Sequence, residues 1–382
     1  MTKIRKKIIV SVTSDLVTDN RVQKVCTTLY ENGYDVLLIG RKLKKSKPIS
    51  RPYKIKRFCL LFNKSALFYV EYNIRLFFFL LFSKADLFLS NDTDTLPANY
   101  YAAKIRRKPL VFDAHEMFPE VPELADRPFV KNIWTKIENR IFPHLKNSYT
   151  VCKSISDEYY KRYGIKMEVV RNIPIRASVV EHPSVIEHPS VTEPSAVECT
   201  QTSIVEQIRN QKSSGKKIII YQGAVNIGRG IEKIIDTMSL LPDFIFYIVG
   251  DGDILQSLKE KVADNTQIVF TGSVPADELR FITKEADVGV NILEKKGLNY
   301  YYSLPNRIFD YMSAGIPVIS TDFPEIRNIV EKYNTGILIT HYEPEYLASV
   351  IKQTSYDKPL VKCDEFSWEK ESEKIIEMLK KM

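Results

Sequence analysis

Short apolar runs alternate with helical spacing along the whole chain. Residues 8–12 form one apolar run, followed by Val22, Val25, Cys26 and Leu29 at i, i+3, i+4 and i+7, the stripe of a single helix face. Gly33 then supplies a helix stop, and residues 36–39 begin the next strand. Further strands are expected at 53–58, 87–90, 110–113, 149–152 and 168–170. The second half repeats the rhythm, with strands expected at 218–221, 244–249, 268–270, 288–292, 318–320 and 336–339. Ile231, Ile234, Ile235 and Met238 mark a helix between the first two of these. Strands separated by helices imply a parallel sheet covered on both faces. The expected fold class is therefore α/β, with two consecutive Rossmann-like, doubly wound parallel-sheet domains. Such sheets hold ligands at the C-terminal ends of their strands, so two of them facing each other would form a cleft.

This pattern sets residues 1–175 as an N-terminal Rossmann-like domain on the acceptor side and 206–362 as a C-terminal one holding the donor. Residues 363–382 are expected to form a helix packing back toward the N-terminal domain. Between the domains, 176–205 reads as a flexible linker. Within it, residues 178–198 carry a near-repeat, Ser178-Val-Val-Glu-His-Pro, Ser184-Val-Ile-Glu-His-Pro, Ser190-Val-Thr-Glu-Pro, whose prolines and small polar residues argue for an extended loop. His182 and His188 lie there beside glutamates, but repeat expansion in a tolerant loop accounts for them more simply than a metal site does.

Composition narrows the class. A chain of 382 residues, 44% hydrophobic and 27% charged, is expected to be a soluble globular protein with a core in each half. Five cysteines stand singly, at 26, 59, 152, 199 and 363, which reads as reduced thiols in a cytoplasmic protein. The basic N-terminus runs straight into the first strand without a signal-peptide pattern. The most apolar stretch, residues 76–82, is seven residues long between Arg75 and Lys84, against the ~20 needed to span a bilayer, so no transmembrane helix is expected. Charge is uneven, +15 over residues 1–175 against −7 for the rest. Nine basic residues and no acidic one lie from Arg41 to Arg57. That stretch reads either as a solvated loop and edge strand or as a face meeting an anionic membrane surface or phosphate-bearing acceptor. No nucleic-acid partner is expected, since no recognition motif accompanies the charge. The aromatic residues of the helix expected at 68–82 read first as core, with a second reading in which that helix dips into a membrane surface beside the basic stretch.

Two segments carry the chemistry. Gly223-Ala-Val-Asn-Ile-Gly228-Arg229-Gly230 follows a strand and opens a helix. Glycines let backbone approach a phosphate, a helix N-terminus offers free N–H groups, and Arg229 adds a forked cationic donor suited to a diphosphate. In Ser303-Leu-Pro-Asn306-Arg307-Ile-Phe-Asp310-Tyr-Met-Ser-Ala-Gly315-Ile-Pro317, Pro305 starts a helix with Asn306 and Arg307 in its first turn. Asp310 falls one turn beyond Asn306, placed to accept from two sugar hydroxyls, and Gly315 ends the helix.

The pattern resembles the GT-B glycosyltransferases of family 4 (glycosyl transferases group 1), retaining enzymes with nucleotide-sugar donors. The resemblance covers nearly the whole chain except the repeat. It implies that Asp310 grips the donor ribose and that Arg229, with Gly223 and Gly230, holds the diphosphate. The motifs Ile248-Val-Gly250-Asp-Gly252 and Phe270-Thr-Gly272-Ser-Val274-Pro275 also match, the second lying where the family's backbone meets the nucleobase. Phe112-Asp113-Ala-His115-Glu116 follows a strand and resembles the segment whose histidine lines the cleft beside the transferred sugar. His115 is expected in that role, by a hydrogen bond to the sugar or through its carbonyl, with a structural histidine as the simpler alternative. The loop from Ser14 to Arg21 stands where the family has its acceptor loop, making Asp15, Asp19, Asn20 and Arg21 acceptor-side candidates, although an N-cap explains Asp19 or Asn20 equally well.

Two departures stand out. The family's paired glutamates, eight positions apart, become Tyr302 and Asp310, so the first carboxylate is either missing or replaced, by Tyr302 itself or by Glu294 through another loop path. A second basic residue commonly follows the first glycine of the donor loop, and here that position is Ala224. Asp92-Thr-Asp94 could hold a divalent metal on a diphosphate, but it lies in the N-terminal sheet, so no metal and no cofactor are expected. The expected reaction is glycosyl transfer with retention, from a nucleotide sugar to a glycan or lipid-linked acceptor in bacterial surface polysaccharide synthesis. The enzyme would be cytoplasmic, peripheral at the inner face of the membrane. Two other readings stay open: a sugar-nucleotide epimerase of the same fold, and a non-catalytic partner in a glycan-assembly complex.

Overall fold

The computed structural model describes residues 5–17, 19–175, 196–263, 265–355 and 366–382. The repeat at 178–198, with His182 and His188, lies almost wholly outside the described residues. The chain divides into two compact units. One comprises Met1–Asn172, Lys296–Ser303 and Trp368–Met382; the other comprises Ile173–Lys295 and Leu304–Ser367.

The first unit is built on seven strands: β1 (Lys7–Ser11), β2 (Asp35–Lys42), β3 (Lys54–Cys59), β4 (Leu87–Asn91), β5 (Leu110–Ala114), β6 (Asn147–Thr150) and β7 (Glu168–Val169). Their order is β3-β2-β1-β4-β5-β6-β7, every neighbouring pair parallel. The chain leaves β1 toward β2 and returns on its other side as β4, so the topological switch lies between β1 and β4. Helices α1 (Asn20–Glu31), α2 (Ser65–Phe82), α3 (Asp92–Arg106), α4 (Pro128–Ile141) and α5 (Lys153–Tyr163) connect the strands.

Two cores cover the sheet. On one, Val22, Val25, Cys26 and Leu29 of α1 pack with Trp368, Ile375, Ile376 and Leu379 of the C-terminal helix Trp368–Lys380. On the other, Phe68, Tyr72, Leu76 and Leu80 of α2 pack with Phe88 and the alanines of α3. Helix α2 is longer than the apolar stretch at 76–82. By length and composition alone it is apolar enough to cross a membrane. Its buried residues recur every fourth position, and the Tyr72 hydroxyl donates to the Val12 carbonyl at 2.6 Å, so one face is bound to the sheet.

The second unit holds β8 (Lys217–Gln222), β9 (Phe244–Val249), β10 (Ile268–Gly272), β11 (Val288–Asn291), β12 (Val318–Thr321) and β13 (Gly336–Ile339). The order is β10-β9-β8-β11-β12-β13, again all parallel, with the switch between β8 and β11. All six residues of β9 are buried, as expected for a strand covered on both faces.

Two boundaries differ from the sequence reading. A helix, Ala196–Ser213, begins inside the segment 176–205 taken as linker. Residues Lys296–Ser303, assigned above to the donor domain, belong to the first unit. The cause is tertiary: the buried Asn299 amide accepts from the Met117 N–H at 3.0 Å and donates to Glu116 at 3.2 Å. The Cys152 thiol also donates to the Tyr302 carbonyl at 3.1 Å.

Candidate functional site

In the first unit, the charged residues gather at the C-terminal ends of β4 and β5. Asp113, the fourth residue of β5, is fully buried, and Arg21 in the first turn of α1 closes on it with Nε at 3.0 Å and Nη2 at 2.8 Å. The third guanidinium nitrogen donates to the Val170 carbonyl at 3.0 Å. Arg21 therefore turns inward. Expected on the acceptor side, it instead neutralises the carboxylate beneath His115.

His115 sits between two carboxylates. Nε2 lies 3.0 Å from Asp113 and Nδ1 3.1 Å from Asp92, while its backbone N–H donates to Asp92 at 2.8 Å. Burial works against a charged ring, but Asp92 and then Asp113 outweigh it, raising the imidazole well above its ordinary value. Burial likewise opposes ionisation of Asp113, yet Arg21 and His115 draw it down to about 2. The ring is thus an imidazolium with both N–H groups donated to protein. The His115 side chain is thereby committed to Asp92 and Asp113.

Asp92 and Asp94 do separate work. Asp92 opens α3 with φ +57, a left-handed backbone unusual outside glycine, and in that position holds both His115 groups. Asp94 faces Thr13, whose hydroxyl donates to it at 2.5 Å. Burial, then the charge of Asp92, pushes Asp94 up to about 8. Among the described residues no cluster of three or more metal-ligating side chains forms.

The remaining acceptor-side candidates are placed as follows. Asp19 caps α1, accepting from the Val22 N–H at 3.2 Å and the Ser14 hydroxyl at 2.9 Å. Asp15 accepts from Ser46 at 2.7 Å and Arg57 at 3.1 Å, which ties this loop to the basic stretch. Of these candidates only Asn20 is exposed.

In the second unit, the loops after β8 and β9 meet. Gly223 has φ +124 and Gly250 φ +149, and a Cβ on Gly250 would lie 1.9 Å from the Gly223 carbonyl. Gly250, expected to touch the donor, is required first for the approach of these two turns. Gly230, φ +66, caps the helix Ile231–Thr237 and packs against Ile292, with Arg229 half-buried before it. Val274 follows β10 in the same row of strand ends.

The helix Asn306–Ala314 brings the strongest candidates to β8. Arg307 is 7% exposed, with its guanidinium 4.3 Å over the Tyr221 ring. Nη2 would be 3.4 Å from a Cβ on Gly223, and Nη1 is buried with no hydrogen-bond partner among the described residues. Asp310 accepts from Gln222 at 2.8 Å, and Gln222 in turn accepts from Thr283 at 2.8 Å. Gln222 was missed in the sequence, where a strand-terminal amide has no signature. Asn306 is exposed. Gly315, φ +69, ends the helix as expected. Of the two candidates for the absent first carboxylate, Tyr302 lies in the first unit, whereas the Glu294 N–H donates to the Gly228 carbonyl of the donor loop at 3.0 Å.

Comparisons with known proteins bear on both units. A family model described as glycosyl transferases group 1 matches residues 216–357, and one described as Glycosyltransferase Family 4 matches 19–174. The sulfoquinovosyl transferase SQD2 of Arabidopsis thaliana is 25% identical over 159 residues, 40% of this chain and 30% of that protein. The chain thus spans less than a third of that relative's length. Among solved structures, the sucrose-phosphate synthase of Thermosynechococcus elongatus superposes with a TM-score of 0.73 at 15% identity, covering 99% of each chain. Anabaena HepE, in complex with UDP-glucose, does so with a TM-score of 0.68 at 15% identity, covering 98% of this chain and 100% of its own. At these identities the structural likeness shows the fold, two Rossmann-like units of the GT-B type.

Proposed function

The chain belongs to the group 1 glycosyltransferases, and from that premise we propose that it transfers a glycosyl group, with retention, from a nucleoside diphosphate sugar to a glycan or lipid-linked acceptor. One observation carries this reading. The helix Asn306–Ala314 sets a buried arginine and an oriented carboxylate beside the glycine turn after β8. The arginine suits a diphosphate, and Asp310, oriented by Gln222, is a carboxylate acceptor of the kind a ribose diol needs. That the HepE structure carries UDP-glucose supports a nucleotide sugar as donor.

In this mechanism the leaving diphosphate is stabilised by Arg229 and Arg307. Glu294, fixed by its backbone to Gly228, is the carboxylate assigned to the donor sugar. His115 enters as a fixed positive charge, not as a base. The acceptor proton then passes to the leaving phosphate oxygen on the same face of the sugar, which retains the anomeric configuration without a second carboxylate. The reading takes no metal; Asp92 holds His115 and Asp94 accepts from Thr13. The basic first half fits an acceptor on an anionic carrier, as in bacterial surface polysaccharide synthesis at the inner face of the cytoplasmic membrane.

The test is a thermal-shift panel of nucleotide sugars, since a ligand bound only by the native state raises its midpoint, followed by product analysis with and without acceptor. A donor that stabilises the protein, with transfer falling at least about a hundredfold in Arg229→Ala, is the expected outcome. Near-normal turnover in that variant would remove the diphosphate assignment. Release of free sugar without acceptor would point to an epimerase instead.

A further inference from the structure

Exposed large hydrophobic side chains are concentrated on one face of the first unit. Seven of the fifteen among the described residues lie on α2 and the loop leading into it, and four more lie on α3 and α4. These three helices are neighbours: α2 packs on α3 and α3 on α4, and the Tyr69 ring of α2 meets the Trp134 ring of α4 at 5.1 Å. Along α2, Leu67, Val70, Ile74, Phe78 and Phe82 follow at i, i+3, i+7, i+11 and i+15, each more than half exposed. This stripe is opposite the buried one that binds the sheet, so α2 is apolar on both sides with only one side covered. A patch of this kind on a folded unit marks a docking surface.

The rim of the patch names its partner. Lys64 and Lys84 bracket α2, and Glu71, the one acidic residue between them, is occupied. Its carboxylate accepts from the Leu61 and Phe62 N–H groups at 2.9–3.0 Å and pairs with Arg75 at 2.8 Å. That contact folds the loop so that Leu61 stands out, 81% exposed. The basic stretch adjoins the same helix, with Arg41 4.6 Å over the Phe68 ring and the Lys56 ammonium 5.0 Å over the Phe79 ring. The exposed stripe itself is aliphatic and phenyl, with no hydrogen-bonding group to read a specific polar partner. Two copies meeting through this face would bring two basic rims together.

We propose that the α2 face docks the protein on an anionic lipid leaflet, with the Leu67–Phe82 stripe entering the acyl boundary and the surrounding lysines and arginines meeting the headgroups. The helix lies in the plane of the surface and does not cross it, because Phe68, Tyr72, Leu76 and Leu80 are committed to the core of the unit. This assignment is independent of the donor and of the reaction.

The experiment is co-sedimentation of the full chain with vesicles of mixed phosphatidylglycerol and phosphatidylcholine, against phosphatidylcholine alone. The protein should bind the anionic vesicles preferentially and be released by salt. The double substitution Ile74→Ser with Phe78→Ser should weaken binding at least about tenfold with an unchanged thermal midpoint, since both side chains are exposed. Lys64→Gln with Lys84→Gln, which leaves every apolar contact in place, should weaken binding to anionic vesicles and flatten the salt dependence. Wild-type sedimentation by the serine variant, or indifference of the native protein to anionic lipid, would overturn the proposal. A concentration-dependent dimer abolished by the serine pair, without vesicle binding, would also overturn it and assign the face to a second copy.

Discussion

Asp94 and Arg307 are both buried, and each makes a prediction. Asp94 titrates at 3.8 when unperturbed but near 8 in the fold, where burial and the charge of Asp92 disfavour its ionised form. The native state therefore holds a proton that the unfolded chain releases. The stability Asp94 contributes is fully present below the unfolded value and is lost as pH rises to about 8. Asp94→Asn keeps an acceptor for Thr13 and removes the titration. The variant should gain stability over the native protein on the order of a few kcal/mol by pH 8. Its thermal midpoint should fall less between pH 4 and 8, and parallel midpoint–pH curves would refute the account. A slope left above pH 6.5 belongs to His115, whose raised value has the same sign.

In the proposed donor site, Arg307 would take over the charge that Ala224 lacks. A buried guanidinium whose Nη1 has no hydrogen-bond partner among the described residues is costly unless an anion meets it. Its position under Gly223 is where a basic residue at 224 would otherwise contribute charge to the donor loop. Arg307→Ala should weaken binding of the best nucleoside diphosphate roughly tenfold to a hundredfold, the range of a charge-assisted hydrogen bond, while leaving the parent nucleoside unaffected. Adding Ala224→Arg should recover part of the loss. Calorimetric titration of the three variants reads both effects. Equal losses for nucleoside and diphosphate would mean that Arg307 only supports the fold.

At the scale of elements, what was legible followed local chemistry. All thirteen strands start within two residues of where apolar runs placed them, because a strand covered on both faces, as most of these are, leaves an uninterrupted local record. The helix at Asn306 was equally readable, since Pro305, Gly315 and Pro317 punctuate it within a few residues. Helix α2 was expected at Phe68–Phe82 and starts three residues earlier; Glu71 and Arg75, which interrupt its apolar run, form an i, i+4 pair on one flank. Other features depended on distant partners. Arg21 looked like a loop residue because Asp113 is ninety-two positions away, and Asn299 gives no hint that it answers Met117 and Glu116. Gly250 matched a motif, yet its primary constraint is the Gly223 carbonyl, which only the assembled turns reveal.

At the scale of the whole molecule, the chain builds its first unit from three separate segments, and the last of these carries structural weight. The C-terminal helix Trp368–Lys380 places Trp368, Ile375, Ile376 and Leu379 in the core beside α1. The Trp368 indole donates to Thr28 at 2.9 Å, and the half-exposed Arg171 reaches Glu371 at 3.2 Å. Burying four such side chains is worth roughly 6–12 kcal/mol in all, as large as the net stability of an ordinary domain. Deleting residues 368–382 should therefore leave the first unit unfolded at room temperature, although every residue discussed at its strand ends remains in the chain. Both tryptophans of the protein, Trp134 and Trp368, belong to this unit, so the emission of Trp134 alone reports its state in the truncated chain. A red-shifted Trp134 without a thermal transition is the expected result, together with retained nucleoside diphosphate binding, because Arg307, Asp310 and Gly223 all lie in the second unit. Native-like Trp134 emission with an unchanged midpoint would mean that the sheet and its first five helices suffice, and that the returning helix only covers a surface already stable without it.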